Sequence, residues 1–206
     1  MGKSSVVVIS AGLSQPSSTR LLADKLGAAV AAETDVELTV IELRDLAHDI
    51  TNNLLTGFPT GELVPAIKAV TEADALIAVT PIFSASYSGL FKSFFDVLEL
   101  GALEGKPVLI AATGGSSRHS LALEHAVRPL FSYLKAVVVP TAVYAASEDW
   151  ASAGSTELSG RVGRAARQLT ALMTRTSSSS TAGKPSVKDP FAEVLPFGEM
   201  MKARGL

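Results

Sequence analysis

An α/β domain with a mostly parallel sheet and helices on both faces is the fold class this sequence predicts, on three observations. Five short β-branched runs recur along the 206 residues, each followed by a stretch with helical spacing. Four of the runs are apolar almost throughout, as strands covered on both faces must be. The second run alternates apolar and polar residues and therefore belongs at an edge.

The first strand is expected over residues 5–11 (SVVVISA), with an Ala/Leu-rich helix over 20–32 behind it. The second strand covers 36–43 (VELTVIEL), and a helix over 62–72 leads into the third, 75–80 (ALIAVT). Residues 89–100 are helical, and the fourth strand is 107–113 (PVLIAAT). A long helix over 119–134 follows, then a fifth strand over 136–140 (AVVVP) and a last helix over 155–174. Right-handed crossovers give these strands the order 2-1-3-4-5. In such sheets ligands bind beyond the carboxyl ends of the strands, where the winding reverses, here between strands one and three.

Inside the fourth helix, Pro129 lacks an N–H and its ring opposes the carbonyl of His125. A simple kink or a single-turn π-bulge near His125 would relieve the conflict. The domain is expected to occupy residues 1–175. Beyond it, 176–185 (TSSSSTAGKP) reads as a Ser-rich linker. The apolar tail at 189–201 (DPFAEVLPFGEMM) is either a frayed end or an arm that docks on a partner subunit.

Composition removes several function classes. Hydrophobic residues make up 47% of the chain, enough for a core, and the formal charge of −2 comes with no basic stripe of the kind nucleic-acid binders carry. No apolar run approaches the roughly 18 residues of a membrane span, and the first residues lack the pattern of a signal peptide. The chain has no cysteine, which excludes disulfides, thiolate chemistry and Cys-ligated zinc and fits a cytoplasmic location. His48 lies between Asp45 and Asp49 in what reads as a solvated loop, with too few ligands for a metal. Lys92 and Asp96 have the spacing of a helical ion pair. Trp150, just after strand five, is either a local packing residue or part of an edge that meets a partner.

Three strand-end loops carry the chemistry. The first, residues 12–19, places Ser14, Ser17, Ser18 and Thr19 at a helix start, where free N–H groups and the helix dipole favour a phosphate. An N-cap alone needs one hydroxyl, not four. Hydrogen bonds to charged groups contribute about 1.5–3 kcal/mol each, so two or three supply much of the ~8 kcal/mol of micromolar binding. The chain has no G-x-x-x-x-G-K-[ST], G-x-G-x-x-G or G-x-S-x-G, which leaves a mononucleotide as the phosphate carrier. In the second loop, Pro81 sets an extended exit from strand three, and Ile82, Ser84, Ala85 and Ser86 let backbone approach a planar ligand. Phe83 and Tyr87 either flank that ring or plug the core below. In the third loop, Thr113, Gly114, Gly115 and Ser116 permit close backbone approach. Facing a flavin, their N–H groups would stabilise negative charge near N1 and the C2 carbonyl. Gly-Gly alone is as compatible with an ordinary tight turn.

The pattern T-P-x-x-x-x-S-Y-S-G-x-x-K-x-x-x-D, from Thr80 to Asp96, resembles the signature of the NADPH-dependent FMN (flavin mononucleotide) reductase family. Ala112-Thr113-Gly114-Gly115, then His119 and 126–134 (AVRPLFSYL), is similar to the branch that supplies reduced FMN to two-component alkanesulfonate and methanesulfonate monooxygenases. The resemblance spans residues 5–150 or so. It departs in the first loop, where Gly12 is followed by Leu13 and Ser14, and Gln15 stands where the family often has Arg.

The resemblance implies a flavodoxin-like three-layer fold, FMN as cofactor with NADPH or NADH as hydride donor, and a homodimer or homotetramer. It also implies a transient partner monooxygenase. The cofactor-binding set is then Ser14, Gln15, Ser17, Ser18 and Thr19 at the phosphate, residues 81–87 along one edge of the ring, and residues 113–116 along the other. Arg118 is the candidate for the phosphates of the nicotinamide dinucleotide. No catalytic nucleophile or metal is called for, because the cofactors supply the reactive atoms. Alternatives are a quinone, azo-dye or chromate reductase with retained FMN, and a flavodoxin-type electron carrier, against which the weak net charge speaks. A flavin-binding regulatory module without turnover is a third.

Overall fold

The computed structural model describes residues 3–179. Its sheet follows the expected order: β1 (Ser4–Ser10), β2 (Val36–Glu42), β3 (Ala75–Pro81), β4 (Pro107–Gly114) and β5 (Val137–Val138) run β2-β1-β3-β4-β5, every pair parallel. The expected fifth strand, 136–140, is shortened to β5, and a sixth strand that was not expected follows it. β5 pairs with the start of β4, and β6 (Val143–Ala146) pairs with its end. Pro140 explains the break, since it has no N–H for a ladder. The next residue, Thr141, donates its N–H to Gln168 Oε1 instead, at 2.8 Å.

Alternating side chains of the strands feed two cores. Val6, Val8, Ile77 and Leu109 pack with Leu22 and Leu26 of α1 (Ser18–Glu33) and with Ala165 and Leu169 of α6 (Ser152–Ser179). Val7, Ile9, Leu76 and Ile110 face the other way, onto Phe91, Phe94 and Phe95 of α4 (Gly89–Asp96) and onto Phe131. The rings of Phe91, Phe95 and Phe131 meet edge to face, with centroids 4.8 and 4.9 Å apart for the pairs sharing Phe95. The α4 helix ends four residues before the expected 100, with Lys92 and Asp96 paired across its last turn.

Residues around His48, expected to be a loop, are helical. A 3-10 turn (Leu43–Leu46) runs into α2 (Ala47–Thr56), and Leu43, Leu46 and Ile50 form a buried stripe at helical spacing, with His48 left exposed. Gly57, at φ 80°, closes α2 in the left-handed conformation that suits glycine. After α3 (Leu63–Glu72) and β3 a further departure lies at 119–134. One helix was expected there, and three pieces form: a 3-10 turn (Ser117–His119), a π turn (Leu123–Val127) and α5 (Arg128–Tyr133). The Arg128 N–H reaches back five residues to the Leu123 carbonyl. The register slip falls just before Pro129, whose missing N–H leaves one carbonyl of the preceding turn without its usual donor.

One compact unit covers Met1–Arg175, and a second is Thr176–Leu206. Of the second, only the end of α6 falls within the described residues. The rest of the Ser-rich stretch and the apolar tail, with its suggested arm, lie outside them. Among the described residues no helix is long and apolar enough to cross a membrane.

Candidate functional site

Beyond the carboxyl ends of β1, β3 and β4 lies a cavity of about 460 Å³, within the ~300–1,000 Å³ range of small-molecule and cofactor sites. Gly12, Leu13, Ser14, Ser18 and Thr19 line it from the first loop, Pro81, Ile82 and Phe83 from the second, and Thr113, Gly114 and Gly115 from the third. Ser147, which follows β6, completes the wall.

The first loop is built around a close approach. Ser17 is the N-cap of α1, its hydroxyl accepting the Arg20 N–H at 3.2 Å. A Cβ on residue 12 would strike that same hydroxyl and crowd the Cβ atoms of Ser17 and Thr19, so glycine there leaves the cap undisturbed. Ser17 therefore serves the helix end, while Ser14, Ser18 and Thr19 face the cavity. Gln15 turns elsewhere: its side-chain amide lies against the Arg44 guanidinium. Thr19 is buried, and its Oγ1 lies 2.8 Å from Oγ1 of the equally buried Thr113. Whichever hydroxyl accepts in that pair still has its own O–H to offer.

The second loop is held to the third, since the Ile82 N–H donates to the Thr113 carbonyl at 2.7 Å. An isolated bridge pairs Ile82 with Tyr87, and Ala85 takes a positive φ of 64° at the tip between them. At the loop's far end Thr80 Oγ1 accepts the Ser88 N–H, and Ser88 Oγ accepts from Phe91 N to cap α4. The two aromatics, expected to share one fate, separate. Phe83 lines the cavity with 53% of its surface exposed. Tyr87 packs on the core against Phe91, with ring centroids 5.9 Å apart.

Tyr144 of β6 lies under the third loop and donates its hydroxyl to the Ser116 carbonyl at 2.8 Å. Its phenol occupies the space that a Cβ on residue 114 would need. Burial first, then the carboxylates of Glu148 and Asp149, push this phenol above its ordinary pKa, so it remains a donor. On the other side of the loop, the Ser117 N–H is taken by Glu148 Oε1 at 3.2 Å. Ser116 thus supports the loop from below. Ser84 and Tyr87 are also away from the cavity lining, and Ala85, Ser86 and Arg118 border a separate hollow.

Gly12, Leu13 and Ser147 were not among the residues expected at the site. The first two sit in the loop already singled out. Ser147 would have followed from the strand-end rule only if the break between β5 and β6 had been read from Pro140. Among the described residues no group of three or more His, Asp or Glu side chains converges as a metal site.

Residues 4–151 match the family model described as NADPH-dependent FMN reductase. Over 146 residues, 71% of this chain and 78% of the relative, the sequence is 42% identical to an NADH-dependent FMN reductase, SfnF, of Pseudomonas fluorescens. It is 39% identical to an FMN reductase (NADPH) of Pseudomonas aeruginosa over 145 residues, 70% of this chain and 78% of that one. The crystal structure of an oxidoreductase from Corynebacterium diphtheriae superposes with a TM-score of 0.81 at 46% identity, covering 85% of this chain and 99% of the other.

Proposed function

The chain belongs to the NADPH-dependent FMN reductase family, and from that premise we propose that the cavity across β1, β3 and β4 holds FMN for reduction by NADH or NADPH. It is an NAD(P)H-dependent oxidoreductase with FMN and a nicotinamide nucleotide as its cofactors. One observation carries the placement of FMN. The cavity has two glycine-lined approaches, at Gly12 and Gly114, where a Cβ would strike a neighbouring side chain. Ser14, Ser18 and Thr19 line the cavity from the same loop as the first, around the start of α1. That donor set suits a phosphate at one end and a flat ring system at the other.

Bound there, FMN accepts a hydride from the nicotinamide, which is chemistry the cofactors carry themselves. The protein's part is to bind and orient. Ser14, Ser18, Thr19 and the N-terminus of α1 hold the phosphate, with Ser17 keeping that terminus formed. Pro81, Ile82 and Phe83 bound one side of the ring, and Thr113, Gly114 and Gly115 bound the other. Tyr144, through Ser116, keeps the third loop in place. Gln15, Tyr87 and Ser116 are assigned to holding the loops in shape. Arg118 is left to the nicotinamide nucleotide.

Leu13 and Phe83 line the rim of the cavity about half exposed, so a flavin seated there has a way out. That supports release of reduced FMN to a partner flavin-dependent monooxygenase, in the cytoplasm. Exposed Leu55, Phe58 and Leu100, at 81%, 73% and 92%, are surfaces that a homodimer or homotetramer would cover. The test is nicotinamide absorbance with NADH or NADPH, with and without excess FMN. Oxidation that scales with added FMN is expected. Nucleotide oxidation only with a quinone, or none with any acceptor, would overturn the reading.

A further inference from the structure

The last residue of β6, Ala146, lies beside Gly114 at the end of β4. The chain therefore leaves the sheet level with the third loop, and Ser147 enters the cavity wall that Gly114 and Gly115 also form. Ser147 opens a short 3-10 turn (Ser147–Trp150) and is itself exposed. A turn of four residues has few hydrogen bonds of its own, so its position depends on what grips it from outside.

The grip comes from α6. Arg161 Nη2 donates to Asp149 Oδ1 at 2.7 Å and to the Tyr144 carbonyl at 3.3 Å. The other Asp149 oxygen accepts the Ala146 N–H at 2.8 Å. One guanidinium thus fastens the chain on both sides of Ser147, at the strand before it and at the turn after it. Leu158, Val162 and Ala165 bury the adjoining face of α6 in the core, which fixes the base of the Arg161 side chain. The Asp149 side chain is only 16% exposed and both its oxygens are used, so this charge-assisted pair holds more firmly than the exposed contact of Arg161 with Glu157 at 3.4 Å. Glu148 of the same turn accepts the Ser117 N–H, which ties the turn to the third loop. Arg161 itself lies outside the cavity lining.

We propose that Ser147 is the contact β6 contributes to the flavin ring, and that Arg161, acting through Asp149, is the residue that positions it. This rests on the assignment of the flavin to the cavity across β1, β3 and β4. Ser147 shares its wall with Gly114 and Gly115, the two residues assigned to the ring, whereas Ser14, Ser18 and Thr19 come from the loop assigned to the phosphate.

Titration of the flavin-free protein with FMN and with riboflavin, followed by flavin fluorescence, tests it. The two ligands share the ring and differ in the phosphate. Ser147→Ala is expected to weaken both by the same factor, about two- to ten-fold for a neutral hydrogen bond. Arg161→Met should do likewise, and the visible absorption bands of bound FMN should shift in both variants. The loss in Ser147→Ala/Arg161→Met should be smaller than the product of the single losses, because both changes act on one contact. Arg161→Lys keeps the charge opposite Asp149 and should recover part of the affinity. Ser147 is exposed, so Ser147→Ala is not expected to disturb folding, and Arg161→Met is titrated well below its own unfolding midpoint. Unchanged affinity in Ser147→Ala, a loss confined to FMN, or losses that multiply in the double variant would overturn the proposal. A wild-type protein that binds neither flavin would instead overturn the assignment of the cavity.

Discussion

Thr19 and Thr113, 94 residues apart in sequence, share a buried hydrogen bond of 2.8 Å between their hydroxyls. It joins the first turn of α1 to the end of β4, tying the first loop to the third on the floor of the cavity. Replacing Thr113 by Val keeps the shape and removes one hydroxyl, leaving Thr19 buried without its partner. The expected cost is about 1–3 kcal/mol in a urea unfolding curve, with weaker FMN binding by fluorescence titration. The double variant Thr19→Val/Thr113→Val should recover part of the stability, because no lone buried hydroxyl remains, but none of the FMN affinity.

Gly114 is under a steric rather than a conformational constraint. A methyl group there meets the Tyr144 phenol, with Cζ at 3.1 Å and the hydroxyl nearer still. Gly114→Ala should lower Tm and FMN affinity together. Adding Tyr144→Phe removes the closest atom and should restore part of both, so that a cycle of the four proteins has a coupling outside the ~0.5 kcal/mol scatter of independent sites. Additive losses would mean that the methyl group finds room elsewhere.

Those two contacts mark where sequence reasoning stops. The runs at β1, β3 and β4 are legible because burial on both faces demands near-continuous apolar residues, and the strand-end rule then points to Ser14, Thr19, Phe83 and Gly114. α2 was hidden because Arg44, Asp45, His48 and Asp49 surround its stripe of Leu43, Leu46 and Ile50 and make the segment look like a solvated loop. The π turn was one of two ways to relieve Pro129, and spacing did not choose between them. Gln15 facing Arg44, Tyr144 under Ser116 and Ser147 at the wall depend on partners distant in sequence, which no local pattern records.

The π turn carries its own clamp, in which Arg128 donates to both Glu124 oxygens at 2.6 and 2.9 Å and to the Val139 and Pro140 carbonyls. The hydrogen bond from Arg128 holds the Glu124 carboxyl below the usual carboxylate range, against a smaller opposing effect of burial. A carboxyl with a depressed folded-state pKa stabilises fully above its unfolded value of ~4.3 and loses that contribution as pH falls through the lower, folded value. Glu124 is about half exposed, at 47%, so solvent and salt keep the effect small. Urea midpoints measured down the acid limb should therefore fall less steeply for Glu124→Gln than for the wild type. An identical acid limb in both would show that the clamp contributes nothing to stability.

Phe83 and Tyr87 stand four residues apart on one loop and should give opposite readouts. Phe83 projects half exposed into the rim of the cavity, without a core partner among the ring contacts of the described residues. Phe83→Ala should change stability by no more than about 0.5 kcal/mol and weaken FMN binding roughly three- to ten-fold, the worth of one aromatic contact. Tyr87 instead rests on Phe91 and the core, so Tyr87→Ala should cost about 1–3 kcal/mol of stability. Its effect on FMN should come only through loosening of the loop, and should shrink at low temperature or in a stabilising osmolyte. The Phe83→Ala effect on FMN should show no such recovery, because Phe83 lines the cavity directly. If Phe83→Ala left FMN affinity untouched while Tyr87→Ala abolished it under stabilising conditions, the ring of the flavin would have to lie on the Tyr87 side of the loop.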